Sequence, residues 1–116
     1  MLGANGGVRI TTWWAFTSSV NVKTLRVRYS GASGTQYMNN VESTGTPNRC
    51  ITEIFNSNAT NVQFGGTQIN TLNASALSAA SSAVDTTAAT SIVITGQKAT
   101  AGETLTLSGY TVEVIR

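Results

Sequence analysis

Side chains able to do acid–base or nucleophilic chemistry are sparse in this chain, and their spacing limits what they can do together. Histidine is absent from the 116 residues. That removes Ser-His-Asp and Cys-His catalysis and most zinc sites. The carboxylates are Glu42, Glu53, Asp85, Glu103 and Glu113, each alone in its stretch of sequence. Two of them could meet only through the fold, and hydrolysis of a glycoside needs a converging pair. Val112 and Val114 are expected to be core residues, and Glu113, which alternates with them, is expected to face solvent. No glycine-rich phosphate loop with a Lys-Ser or Lys-Thr step is present, and no calcium-loop spacing. The single cysteine, Cys50, permits no internal disulfide and sits in the apolar run RCITEIF, where it reads as a small buried hydrophobe. These residue types assign no catalytic residue, no metal ligand and no cofactor.

Binding chemistry is better represented. Trp13 and Trp14 are adjacent, and adjacent strand residues face opposite ways, so one core takes at most one of them. Trp14 belongs with the apolar set. Trp13 falls beside Arg9 and Thr11, either in a second core or subunit interface or as a platform for stacking a sugar ring. Lys23, Arg26 and Arg28 are the only clustered cations. Arg26 and Arg28 share one strand face, with Lys23 on the other parity unless a bulge intervenes. Their two readings are a solvated face that discourages edge pairing and a patch for anions or acidic polysaccharide. Possible contact residues for a glycan or an interface are therefore Trp13, Arg9, Arg26 and Arg28. Nucleic acid is not expected, because it needs a larger basic stripe with exposed aromatics.

The elements that position these residues read as strands. Residues 8–29 form the longest stretch of strand chemistry, free of Pro and Gly. Val8, Ile10, Thr12, Trp14 and Phe16 make one face. Leu25, Val27 and Tyr29 make another, against Arg26 and Arg28. Joined through Thr17, Ser18 and Ser19, these two strands are expected to form a hairpin. The change of parity after Val20 and Val22 predicts a bulge or bend near Lys23-Thr24.

Further strands are expected at 36–41, 49–55, 62–64, 91–95 and in two pieces from 105 to the end, with a phase shift at Gly109. Gly65-Gly66 is expected to close the short strand at 62–64. A turn surrounds Pro47, the only proline. Residues 67–90, rich in Ala, Ser and Thr, are expected to form a loose loop with a short helical turn, of a length that suggests a partner or a job. Residues 1–7 read as a flexible leader, and 8–116 as one domain. The fold class that follows is all-β, an antiparallel two-sheet sandwich, jelly-roll-like, with about eight strands.

Composition agrees. Charged residues are 10%, against the usual quarter of a soluble domain, and the net charge is +2. Thr, Ser, Asn and Gly fill the gap, as in a sheet protein with short polar turns. No apolar run approaches a membrane span, and Met1-Leu2-Gly3 leads into no signal-like apolar segment, so synthesis in a cytoplasm without membrane insertion is expected. The sequons at Asn58 and Asn73 then count as chance.

The segments GANGGVRITTWWAFTSSVNVKTLRVRYSGASGTQY, NSNATN and AVDTTAATSIVITGQKATAGETLTLSGYTVEVI resemble the C-terminal β-sandwich of tailed-bacteriophage tail fibres, tailspikes and related virion surface proteins. SGASGTQY and GETLTLSGY carry most of that likeness, and the stretch from about 65 to 85 lies outside it. The resemblance implies a non-enzymatic virion module made in a bacterial host. Its expected partners are copies of itself in a homotrimer, other virion proteins and host cell-surface glycan. A head decoration protein that clamps capsomers is the alternative in the same setting, and a carbohydrate-processing enzyme domain is a third. The small side chains of the middle segment would suit close packing at a three-fold axis.

Overall fold

A computed structural model describes residues 2–45, 48–69 and 80–116. Among the described residues there are eight strands: β1 (Gly7–Phe16), β2 (Lys23–Tyr29), β3 (Thr35–Glu42), β4 (Asn48–Asn56), β5 (Gln63–Ile69), β6 (Ala80–Ser82), β7 (Ile92–Lys98) and β8 (Leu105–Ile115). They form a five-stranded sheet in the order β6-β5-β4-β1-β8 and a three-stranded sheet in the order β3-β2-β7, with every pairing antiparallel. The domain is an all-β two-sheet sandwich. N-terminal strands meet C-terminal strands in reverse order, β1 with β8 and β2 with β7. β3 and β6 meet across the seam of the two sheets, where the Tyr37 and Ser82 hydroxyls lie 2.7 Å apart. This nesting gives the sandwich its jelly-roll character.

The core follows from period-2 alternation. Val8, Ile10, Thr12, Trp14 and Phe16 of β1 are buried, as are Cys50, Thr52 and Ile54 of β4. Opposite them lie Leu25, Val27 and Tyr29 of β2 with Tyr37 and Met38 of β3. Ile10, Leu25 and Ile54 have no exposed surface, and each contributes roughly 1.5–3 kcal/mol by leaving water. Tyr37 and Met38 are consecutive yet both buried. A register shift in the β2–β3 pairing makes this possible, because Val27 pairs with Met38 and Arg28 with Gln36. The extra residue, Tyr37, turns inward and sets its ring edge-on to Tyr29 at 6.3 Å.

Several expectations are corrected. β1 and β2 do not form a hairpin; they lie in different sheets, and residues 17–22 arch between them. The parity change near Lys23 is a bend, at residues 19–21, and not a bulge. β2 begins at Lys23, and Val20 and Val22 belong to the exposed arch. The irregularity in β2 pairing sits at Val27/Arg28 instead. Gly65-Gly66 does not end β5, which runs to Ile69. Gly65 is there because β4 passes so close that a Cβ would sit 2.0 Å from the Glu53 carbonyl oxygen. β7 continues through Gly96 to Lys98, and β8 is one strand with a bulge at Ser108-Gly109, where Trp13 pairs with Gly109 and Trp14 with Leu107. Within 67–90, residues 80–82 form β6, whereas most of the expected helical turn and the Thr46-Pro47 turn lie outside the described residues.

Residues 2–6, read as a leader, are tied to the body. Leu2 packs against the core, Asn56 N–H donates to the Gly6 carbonyl at 2.9 Å, and the Asn56 amide donates to the Gly3 carbonyl at 2.7 Å. Beside this anchor lies a polar knot. The Gln63 side chain has no exposed surface; its amide donates to Asn56 Oδ1 and to the Val84 carbonyl, each at 2.9 Å. Its Oε1 accepts from Ser82 Oγ at 3.0 Å and from Val84 N–H at 2.8 Å. One buried glutamine thereby fixes the segment that follows β6.

Candidate functional site

The outward face of the five-stranded sheet collects the residues best suited to binding. From β1 it takes Arg9, Thr11, Trp13 and Ala15, the positions alternating with the core set. β4 contributes Arg49, Ile51, Glu53 and Phe55, which register against β1 as Trp13↔Arg49, Thr11↔Ile51 and Arg9↔Glu53. β8 contributes Gly109, Thr111 and Glu113, registered as Trp13↔Gly109, Thr11↔Thr111 and Arg9↔Glu113. Three strands thus present three cross-strand rows on one open face.

The row through Arg9 is an ion triad. Arg9 Nε donates to Glu53 Oε1 at 2.7 Å, and Arg9 Nη1 stands 4.0 Å from Glu113 Oε2. The hydrogen bond to Glu53 raises the Arg9 pKa first, and the charges of Glu53 and Glu113 add to it. Both carboxylates therefore close on one guanidinium at a half-exposed surface, where solvent screening keeps such pairs weak. The triad braces three strands. Sequence reading placed Arg9 as a possible ligand contact; the structure shows its charge already occupied by this chain.

The row through Trp13 is different. Trp13 is 39% exposed, large for an indole, whereas its neighbour Trp14 is buried and donates its ring N–H to Thr12 Oγ1 at 2.9 Å. On one side of Trp13 the bulge brings Gly109, where a Cβ would touch Trp13 Cε3 at 3.8 Å. With glycine there, the flank of the ring is bare. On the other side stands Arg49, exposed, its side chain with no hydrogen bond or ion pair among the described residues. At the far end of the same face Phe55 and Phe64 pair at 6.2 Å, and Phe64 is half exposed.

Arg26 and Arg28 do not join this face. They point outward from the three-stranded sheet, on the opposite side of the sandwich. Arg26 Nη1 donates to Gln97 Oε1 at 2.8 Å, and Arg28 Nη1 reaches the Gly34 carbonyl at 3.4 Å. The four candidate residues thus divide into two pairs that no single ligand of modest size can touch together. Lys23, the third cation of that cluster, points into the sandwich instead.

Two features escaped sequence reading. Arg49 shares the parity of Ile51, Glu53 and Phe55, but nothing local says that β4 lies beside Trp13. The second, the inward side of β8, corrects an expectation, since Val112 and Val114 are expected in the core. Tyr110, Val112 and Val114 pair with the core residues Thr12, Ile10 and Val8, yet are 62%, 45% and 57% exposed. The smaller sheet ends at β7 and leaves them uncovered. Further along β8, Leu105 and Leu107 join Trp14, Ile94, Gly96 and Lys98 around an open slot of about 210 Å³. An apolar seam therefore runs along the β7/β8 side of the sandwich. Among the described residues no group of His, Cys, Asp and Glu side chains is placed to hold a metal ion, and no helix is long and apolar enough to cross a membrane. No family model, curated protein or solved structure matches the chain.

Proposed function

We propose that this chain is a non-enzymatic structural module of a tailed-bacteriophage virion. In this reading it is a terminal domain of a tail fibre or tailspike that associates with copies of itself, as a homotrimer, and turns its outer sheet toward host-surface glycan. One observation carries the self-association. Tyr110, Val112 and Val114 occupy the inward side of β8 and are nevertheless exposed. β8 is also the edge of its sheet, eleven residues long, with Glu113 as its only charge and neither Lys nor Pro to guard it. Free-standing domains protect such an edge. A neighbouring copy covers the strip and leaves no like charges facing each other, since Glu113 is already met by Arg9. The exposed Trp13 face supports the glycan half of the reading, because an indole offers a flat apolar surface to the C–H face of a sugar.

Native mass spectrometry of the full chain tests this. A trimeric mass, lost on Val112→Lys with the fold retained by circular dichroism, is the expected result. A chain that stays monomeric at high micromolar concentration overturns the self-association. A monomer that binds empty phage capsids assigns the chain to the head as a decoration protein instead.

A further inference from the structure

We infer that Trp13, Arg49 and Gly109 form a binding site for a saccharide that carries a carboxylate. The inference rests on the glycan-facing reading of this sheet and names the class of sugar. The three residues make one cross-strand row, Arg49 on β4, Trp13 on β1 and Gly109 on β8. Side chains directly opposite on neighbouring strands have Cβ atoms about 5 Å apart. A ring stacked on Trp13 therefore brings its substituents within reach of the Arg49 guanidinium. Gly109 leaves room for that ring, because any side chain there would begin at contact distance from the indole.

The chemistry of a cation that has no side-chain partner among the described residues selects the ligand. Arg9 is held by Glu53 and Glu113, Arg26 by Gln97 and Arg28 by the Gly34 carbonyl, whereas Arg49 has no partner among the described residues. A guanidinium presents a planar fork that fits a carboxylate through paired N–H bonds. Arg49 therefore adds a carboxylate preference to a stacking surface that is otherwise indifferent to charge. The same face argues against a polyanion. Glu53 and Glu113 lie two cross-strand rows from Trp13, and a nucleic-acid or polysulfate chain laid along β1 would pass over them. One acidic sugar at the Trp13 end, with neutral sugars running toward Arg9, meets no such repulsion.

The test uses uronate and sialoside oligosaccharides, each paired with its carboxyl methyl ester, titrated into the full chain by calorimetry. Free-acid forms are expected to bind about tenfold more tightly than their esters, the gain of one charged hydrogen-bonded pair. Arg49→Gln is expected to abolish that difference. Trp13→Ala is expected to abolish binding of both forms, and Gly109→Val to weaken both. Arg49 is exposed, so its variant tests the site without testing the core. Equal affinity for acid and ester, or a preference that survives Arg49→Gln, overturns the inference and leaves the glycan surface standing. No binding of any form, with no signal on a broad neutral-glycan array, overturns both. Binding of a single-stranded oligonucleotide without any saccharide signal also overturns both.

Discussion

Lys23 has no exposed surface, and its ammonium lies 3.0 Å from Glu103 Oε2 at the end of the sandwich where residues 17–22 arch between the sheets. The contact with Oε2 is chiefly ionic, off the hydrogen-bond direction, while Nζ donates to Ser19 Oγ at 2.8 Å and to the Asn21 carbonyl at 2.9 Å. Glu103 Oε1 accepts from the Ser19 hydroxyl and from the Asn21 amide, the latter at 3.0 Å. Thr17 N–H adds a bond to the Thr104 carbonyl at 3.1 Å, and Ala99 N–H one to the Val22 carbonyl at 3.0 Å. The arch and the β7–β8 turn are thereby one unit.

Removing either charge leaves the other in a different position. Glu103→Gln strands an ammonium with no exposed surface without its counter-ion, whereas Lys23→Met leaves Glu103, whose side chain is 11% exposed, with Ser19 and Asn21. Breaking a buried pair from the side that stays buried is the costly direction. The expected outcome is a Tm loss of roughly 10 °C or more for Glu103→Gln. A clearly smaller loss is expected for Lys23→Met, with the double variant recovering part of the Glu103→Gln loss. Differential scanning calorimetry of the set checks this, and equal losses for both single variants would sink it.

Stability should also fall in acid through the same group. The Ser19 hydroxyl, the Lys23 ammonium and the Asn21 amide hold the Glu103 carboxyl down to about 2 from an ordinary 4.5. A depressed folded-state pKa contributes stability that is complete above the unfolded value and is lost as pH falls toward the folded one. The window is therefore from about pH 4.5 down to about pH 2. Urea midpoints measured across that range should drop more steeply for the unmodified chain than for Glu103→Gln, and parallel curves would count against it.

Gln63 supplies a second buried polar test. Its amide and carbonyl hold Asn56, Ser82 and Val84 with no solvent contact. Gln63→Leu fills similar volume but orphans those partners, each costing about 1–3 kcal/mol when left unpaired and buried. A total loss of about 3 kcal/mol in chemical denaturation is expected. Amide exchange should quicken first at Val84, whose N–H donates to Gln63 at 2.8 Å.

Cys50 should be inert while the domain is folded. It is fully buried, and burial, followed by the charge of Glu42, raises its thiol to about 11. The thiolate is the reactive form. A disulfide reagent at pH 8 should label Cys50 only at the rate of global opening and at once in denaturant. Fast labelling of the native chain would contradict the burial.

The residues alone determined which side chains point inward. Strand alternation has a period of two, so Val8, Ile10, Thr12, Trp14 and Phe16 fall together wherever the strand goes, as do Leu25, Val27 and Tyr29, and the all-β class follows. What alternation does not carry is the identity of the neighbouring strand, because backbone hydrogen bonds are the same at every position. Only the tertiary structure sends β1 and β2 to different sheets and explains Gly65 by the close passage of β4. It also buries Lys23 against a carboxylate from a distant turn. The candidate site divides the same way. Trp13 was legible as the outward member of its pair, but Arg49 and Gly109 reach it through registers set by long-range pairing.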